Sequence, residues 1–252
     1  VESQSFNLLH AIVDSVWVAK EGAEEADYLE LADKIQTKLN LPLSFEGKYR
    51  WIIFLTSKVK PGIPTLNRYF GTFIDGTIKY RGIEARRRDI PPFIRRCQLD
   101  IISQLSEANN SRELYKSVPR AIEKIREHIK TLREFDINPL DLIIQKQLSK
   151  DVSDYENHTL QSIAARQLTK QGLRINSGET ITFLIVDEKD PIPEKLVLAN
   201  EIVTEDSNYD LTKYETMLIR AASTILSPLG YDNDRLQRSL KFQNHKIREY
   251  IN

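Results

Sequence analysis

Two short apolar runs, Leu8 to Val13 and Ser15 to Val18, meet at a single carboxylate, Asp14. Runs of this length and residue type predict a tight β-hairpin with Asp14 at its tip and its oxygens exposed. An acid so placed can hold a metal ion, but Asp also favours turns because its side chain bonds the nearby backbone, which implies no chemistry.

The rest of the chain has to supply a core on which such a hairpin can rest. At 252 residues it is long enough for one large domain or two modest ones. With 40% hydrophobic and 29% charged residues it falls in the globular class, and no apolar run approaches the span of a bilayer. A single cysteine, Cys97, excludes an internal disulfide and a multi-cysteine zinc site, and suits a reducing intracellular compartment. The four histidines, His10, His128, His158 and His245, have no spacing suited to a metal and read as ordinary surface or core. The chain opens on Val1-Glu2-Ser3, without methionine or a leader, which predicts a fragment or a processed piece.

Thirty-six basic and thirty-six acidic side chains cancel, but unevenly. Residues 1 to 45 hold three Lys or Arg against eight Asp or Glu, and residues 46 to 96 hold twelve against four. A net −5 is thus followed by a net +8, with −3 left for the remainder. A basic block inside a neutral protein implies a polyanionic partner.

Between Glu21 and Asn40, Leu29, Ala32, Ile35 and Leu39 recur at helical spacing and predict an amphipathic helix packed on a sheet. Phe45 to Leu55 reads as a turn entering a buried strand, and Lys58 to Pro64 as a basic loop. Arg68 to Arg81 has the pattern of a hairpin with a two-residue Asp75-Gly76 turn, both positions at positive φ, and alternation puts Lys79 and Arg81 on one face. Arg86, Arg87 and Arg88 follow. Taken alone, such a run is solvated or paired with local acids such as Glu84 and Asp89.

From Pro92 the pattern becomes helical, which sets a domain boundary there. Phe93, Ile94, Cys97, Ile101, Ile102 and Leu105 form one stripe. Ser111 caps a second helix carrying Ala121, Ile122, Ile125, Ile129 and Leu132, with Pro119 expected to kink or delimit its first turns. A short element from Asn138 to Leu148, a helix from Leu160 to Gln171 stopped by Gly172, and a strand from Ile181 to Val186 come next. Asp210 opens a last strong helix with Tyr214, Leu218, Ala221 and Ile225 on one face, ended by Pro228 and Gly230.

Taken in order, these pieces resemble the C-terminal part of an archaeal-type family B DNA polymerase over nearly the whole chain. Val13-Asp14-Ser15 is similar to the end of the family's palm hairpin, Tyr-Gly-Asp-Thr-Asp-Ser, with Asp14 on its last, metal-binding aspartate. Arg68-Tyr69 is similar to the end of the Lys-Lys-Arg-Tyr element. Arg81-Gly82-Ile83-Glu84 with Arg87-Arg88-Asp89 is similar to the palm-to-thumb signature, and Ile163 to Gly178 with Gly230-Tyr231 to the thumb. The resemblance implies an α+β fold: residues 1–92 as the C-terminal part of an antiparallel palm, and 93–252 as a mostly helical thumb with a small strand insertion.

It also implies chemistry. Asp14 becomes one of two carboxylate anchors for a pair of Mg²⁺ ions that serve nucleotidyl transfer in DNA replication. The partners it implies are primer-template DNA and an N-terminal polymerase part carrying the other metal-binding aspartate and the nucleotide site. The compartment it implies is cytoplasmic and nucleoid-associated. Lys58, Lys60, Arg68, Lys79, Arg81, Arg86, Arg87 and Arg88 are expected to neutralise duplex phosphates without reading sequence, and Tyr69 to lie against the primer end or minor groove.

There are departures from the family pattern. The family's first hairpin aspartate is Ile12 here and its Tyr-Gly is His10-Ala11, which we read as lineage variation. The paired lysines are displaced by Pro61 to Asn67, so Lys58 or Lys60 takes that place. Glu46 stands near the palm sheet, where it reads as a surface glutamate or an aid to metal binding. Gln237, Leu240 and Phe242 loosely resemble a peptide that binds a sliding clamp or accessory subunit. The competing reading is a DNA-binding module without catalysis, or an inactivated polymerase paralogue.

Overall fold

The computed structural model describes residues 4–12, 14–57 and 63–248, apart from the side chains of Leu66 and of residues 242–248. Strand β1 (Asn7–Ile12) pairs antiparallel with β2 (Ser15–Ala19), and Ile12 lies opposite Ser15, so residues 13 and 14 alone connect them. Helix α1 (Glu25–Leu39) begins where the Glu24 amide donates to Asp27 Oδ2 at 2.8 Å, and ends at Asn40, whose φ of 50° is left-handed.

The buried face of α1 is rotated from the one its leucines predict. Leu31 packs with Phe6 and Ala23, flanked by Tyr28, Ile35 and Val18, while Leu29 and Leu39 remain 48% and 58% exposed. Each residue step turns a helix by about 100°, so a stripe read one position out faces solvent. The large aromatic ring of Tyr28 and its contact with Phe6 decide which side is inward.

Strands β3 (Tyr49–Thr56), β4 (Pro64–Phe73) and β5 (Ile78–Arg81) form an antiparallel sheet in the order β3-β4-β5. The β4–β5 connection is not the expected two-residue turn. Residues 74–77 form a longer loop in which the Gly76 amide donates to the Phe73 carbonyl and the Thr77 amide to Asp75 Oδ1. Among the described residues Asp75 is not at positive φ, whereas Gly76 is, at 89°. An ordinary turn followed by one left-handed glycine serves as well as the mirror-image turn, and the Asp75 side chain favours it.

Gly71 is required by close approach. A Cβ there would stand 2.7 Å from the Trp51 carbonyl oxygen and 3.0 Å from Ile52 Cα on β3. Gly71→Ala should therefore force β3 and β4 apart and cost about 1–3 kcal/mol, read as a lower urea midpoint with an unchanged slope.

Contacts divide the chain into two compact units, Val1–Arg81 with Asn109–Ser111, and Gly82–Ala108 with Arg112–Asn252. In the second unit, α2 (Pro92–Ser106) starts with Pro92 in its first turn and buries the whole expected stripe, with Gln98 among it. Helix α3 (Ser111–Arg133) likewise buries Ala121, Ile122, Ile125, Ile129 and Leu132, and it runs through Pro119 without ending. The carbonyl that loses its partner there belongs to Tyr115, an exposed residue on the water side of the helix.

Strands β6 (Ile144–Gln147), β7 (Thr180–Ile185) and β8 (Val197–Ala199) make a second antiparallel sheet in that order, so the expected strand is the centre of three. Helix α4 (Leu160–Lys170) lies on it and ends before Gly172, at φ 88°. Its Gln167 reaches the outer strand, where Nε2 donates to the Val197 carbonyl and Oε1 accepts from the Ala199 amide, both at 2.8 Å.

Helix α5 (Leu211–Leu226) is capped by Asp210, which accepts from the Lys213 amide at 2.9 Å. Tyr214 is fully buried on it and takes the Ile185 amide on its hydroxyl at 2.9 Å, and burial pushes its phenol up from the ordinary range. The chain then forms one helix more than expected, α6 (Asn233–Arg248), begun by Asp232 accepting from the Arg235 amide and anchored by fully buried Leu236. The fold is α+β. Among the described residues no helix is long and apolar enough to cross a membrane.

Candidate nucleic-acid interface

The β1–β2 hairpin is seated on one face of the β3-β4-β5 sheet. Trp17 meets Tyr69 and Phe54 edge-on, with ring centroids 5.2 and 5.6 Å apart, and His10 lies 4.6 Å from Phe54. Directly paired residues share a face, and the register aligns Phe54, Tyr69 and Arg81 in one row and Ile52, Gly71 and Lys79 in the next. The face that carries the Asp14 hairpin is therefore also the face of Lys79 and Arg81.

Asp14 is exposed at the hairpin tip, where Oδ1 accepts from the Ser15 hydroxyl at 3.2 Å. A solvent-facing carboxylate is a suitable oxygen donor for a hard divalent cation. One donor does not complete a coordination shell, and among the described residues no three His, Cys, Asp or Glu side chains converge as ligands.

The expected cationic residues are not equivalent. Arg81 is exposed with no ion pair among the described residues, whereas the Lys79 ammonium is held by Glu46, which makes Glu46 a partner of the basic row. Arg68, one residue before Tyr69 on β4, belongs to the opposite face. Tyr69, expected against a ligand, is 1% exposed and packed between Trp17 and Phe54, so its ring supports the face from within. Lys58 and Lys60 lie outside the described residues, as does Val13.

The second unit opens on the three arginines. Arg87 clasps Asp89 with two parallel bonds, Nε to Oδ1 at 2.9 Å and an amino nitrogen to Oδ2 at 2.7 Å, and Lys146 of β6 reaches the same Oδ2 at 2.9 Å. Arg86 and Arg88 are exposed and have no ion pair among the described residues. The local-acid pairing expected of such a run thus holds for Arg87 alone. Lys146 was not anticipated, because 57 residues separate it from Asp89 and nothing near it in sequence marks the pairing.

The Arg87 guanidinium first, and Lys146 after it, pull the Asp89 carboxyl down from 3.8 to about 2. A depressed carboxylate contributes stability that is fully present above its unfolded value near 3.8 and is lost as pH falls through about 2. Asp89→Asn should accordingly be less stable than the parent at neutral pH. The gap should close between about pH 4 and pH 2 in acid titrations followed by circular dichroism.

The sequence pattern of DNA polymerase family B matches residues 10–229. This chain belongs to that family. DNA polymerases of Pyrococcus horikoshii and Pyrococcus glycovorans are 24% and 26% identical to it over 94% and 91% of its length, and that of Methanocaldococcus jannaschii is 27% identical over 94%. The chain spans only 18%, 28% and 14% of those relatives, respectively. A solved family B DNA polymerase from Pyrobaculum calidifontis superposes on 89% of the chain with a TM-score of 0.64 at 22% identity, a likeness of fold. Within the family B match lie both Asp14 and the arginine run.

Proposed function

We propose that this chain is the C-terminal palm and thumb portion of a DNA-directed DNA polymerase of family B, with residues 1–92 in the palm and 93–252 in the thumb. The observation that carries the reading is the exposed Asp14 carboxylate, raised on a hairpin over the same sheet face as Lys79 and Arg81. A carboxylate on the same sheet face as an exposed arginine suits a site where a metal ion and a phosphate backbone meet.

Divalent ions, magnesium by their abundance and oxygen preference, supply activation of a primer 3′-hydroxyl and neutralisation of phosphate charge when bound. Asp14 would be one of their donors. A further aspartate and the nucleotide pocket would come from the polymerase part that the longer relatives possess. Exposed Leu8, Leu9 and Val16 on the hairpin suit a surface completed by more polypeptide.

Arg81, Arg86 and Arg88 neutralise phosphates of the primer-template duplex, with Lys58 and Lys60 as further contacts, while Arg68 faces away from this row and Arg87 holds the run in place through Asp89. Tyr69 serves by packing. Such contacts fix the duplex without reading its sequence, as replication in a nucleoid-associated, cytoplasmic setting demands. The clamp-binding reading of Gln237, Leu240 and Phe242 gains no support, since the Phe242 side chain lies outside the described residues.

Ile12 at the family's first hairpin aspartate favours one alternative, a duplex-gripping module without catalysis. Primer extension by this chain combined with the complementary part of the polymerase separates the two. Equal extension with Asp14 and with Asp14→Ala would reject the metal-anchor role of Asp14, and no extension by either would leave the gripping module.

A further inference from the structure

Three segments remote in sequence meet at one buried amide. Gln98 on α2 is 0% exposed. Its Nε2 donates to Glu84 Oε2 and to the Ala221 carbonyl of α5, both at 2.8 Å, and its Oε1 accepts from the Ala85 amide at 2.6 Å. The other Glu84 oxygen accepts from the Thr224 hydroxyl of α5 at 3.0 Å.

An apolar side chain could fill the same space in this stripe, as its neighbours Ile94, Ile101 and Ile102 do. What the amide adds is direction. Each partner is bound at one atom only, and a buried polar group left without its partner is costly, so the network admits a single register of the turn against the two helices.

That turn, Glu84–Arg86, leads directly into the arginine run. The run is therefore held at two points: by Gln98 and Thr224 at Glu84 just before it, and by Asp89 with Lys146 at its central Arg87. Between and beyond these anchors Arg86 and Arg88 stand exposed, with no ion pair among the described residues. Long side chains bind at lower cost in lost freedom when the backbone that carries them is already fixed.

We infer that Gln98 is a positioning residue that presents Arg86 and Arg88 as a pre-oriented pair to a nucleic-acid phosphate backbone. The inference rests on the phosphate role proposed above for these two arginines, and it adds the device that aims them.

The test uses the whole chain, a short mixed-sequence DNA duplex and trypsin, which cleaves after the run's arginines when it opens. Gln98→Leu should bind the duplex about tenfold more weakly, with the dependence of log affinity on log salt shallower by about one to two. Arg86→Ala/Arg88→Ala should show the same change, and adding Gln98→Leu to it should cost little more. Without DNA, tryptic cleavage within 86–88 should quicken about tenfold in Gln98→Leu, since cleavage follows opening of the segment.

Unchanged cleavage and an unchanged salt slope in a folded Gln98→Leu protein overturn the inference, as does a fully additive loss in the triple variant. If Gln98→Leu does not fold, Thr224→Val removes one anchor of Glu84 and should shift both readouts in the same sense. If Arg86→Ala/Arg88→Ala binds as the parent does, the inference falls with its premise, and accelerated cleavage in Gln98→Leu would show that the clamp itself is real.

Discussion

Replacing Asp14 with alanine should lower primer extension by the completed polymerase about 10³-fold or more, while leaving the chain folded and its grip on duplex DNA no weaker. The size follows from what a metal-binding carboxylate supplies, several kcal/mol of charge stabilisation in the transition state, at about 1.4 kcal/mol for each tenfold in rate. The selectivity follows from position. Asp14 is exposed and, among the described residues, bonded only to the neighbouring Ser15 hydroxyl, so its removal should change stability by no more than about 0.5 kcal/mol. Trp17, three residues away and packed on the sheet, gives a fluorescence check that the hairpin is still seated. Asp14→Asn should be nearly as inactive, since it keeps the shape and loses the charge. Full extension by either variant would show that the hairpin acid serves the turn alone.

Tyr69→Ala should act in the opposite sense, unfolding the first unit more readily without touching any chemistry directly. The ring is almost wholly buried between Trp17 and Phe54, and truncating a large buried side chain leaves both without a neighbour, a loss of about 3–5 kcal/mol. Urea unfolding followed by the fluorescence of Trp17 and Trp51, both in the first unit, measures it. Tyr69→Phe keeps the packing and should stay within about 1.5 kcal/mol of the parent. A stable Tyr69→Ala protein with weakened DNA binding would instead make Tyr69 a contact residue.

What the amino-acid order disclosed was whatever depends on short-range periodicity. The stripes of α2 and α3, the hairpin at Asp14 and the caps at Asp210 and Gly172 could be read because each is decided within a few residues. The inward side of α1 was not, since Tyr28 and Leu31 compete with Leu29 and Leu39 for one core, and only the packing of Phe6 and Ala23 settles it. Helix α6 escaped notice because one buried leucine, Leu236, anchors a mostly polar segment.

The same divide runs through the site. Arg86 to Arg88 announce themselves by number, but that Arg87 alone of the three clasps Asp89, and shares it with a lysine 57 residues away, is seen only in the fold. Gln98 could not have been singled out at all: in the sequence it is one polar residue in an apolar stripe, and its purpose lies in Glu84 and Ala221, on elements that only the fold brings to it.

The bond pair from Gln167 to Val197 and Ala199 has a consequence for how this protein behaves in company. An outermost strand with bare peptide groups is a template on which another chain can add itself, the first step towards aggregates. By occupying that rung with a carboxamide from its own helix, the molecule denies it to strangers, which lets a short rim strand remain at the margin of a sheet in a crowded cell.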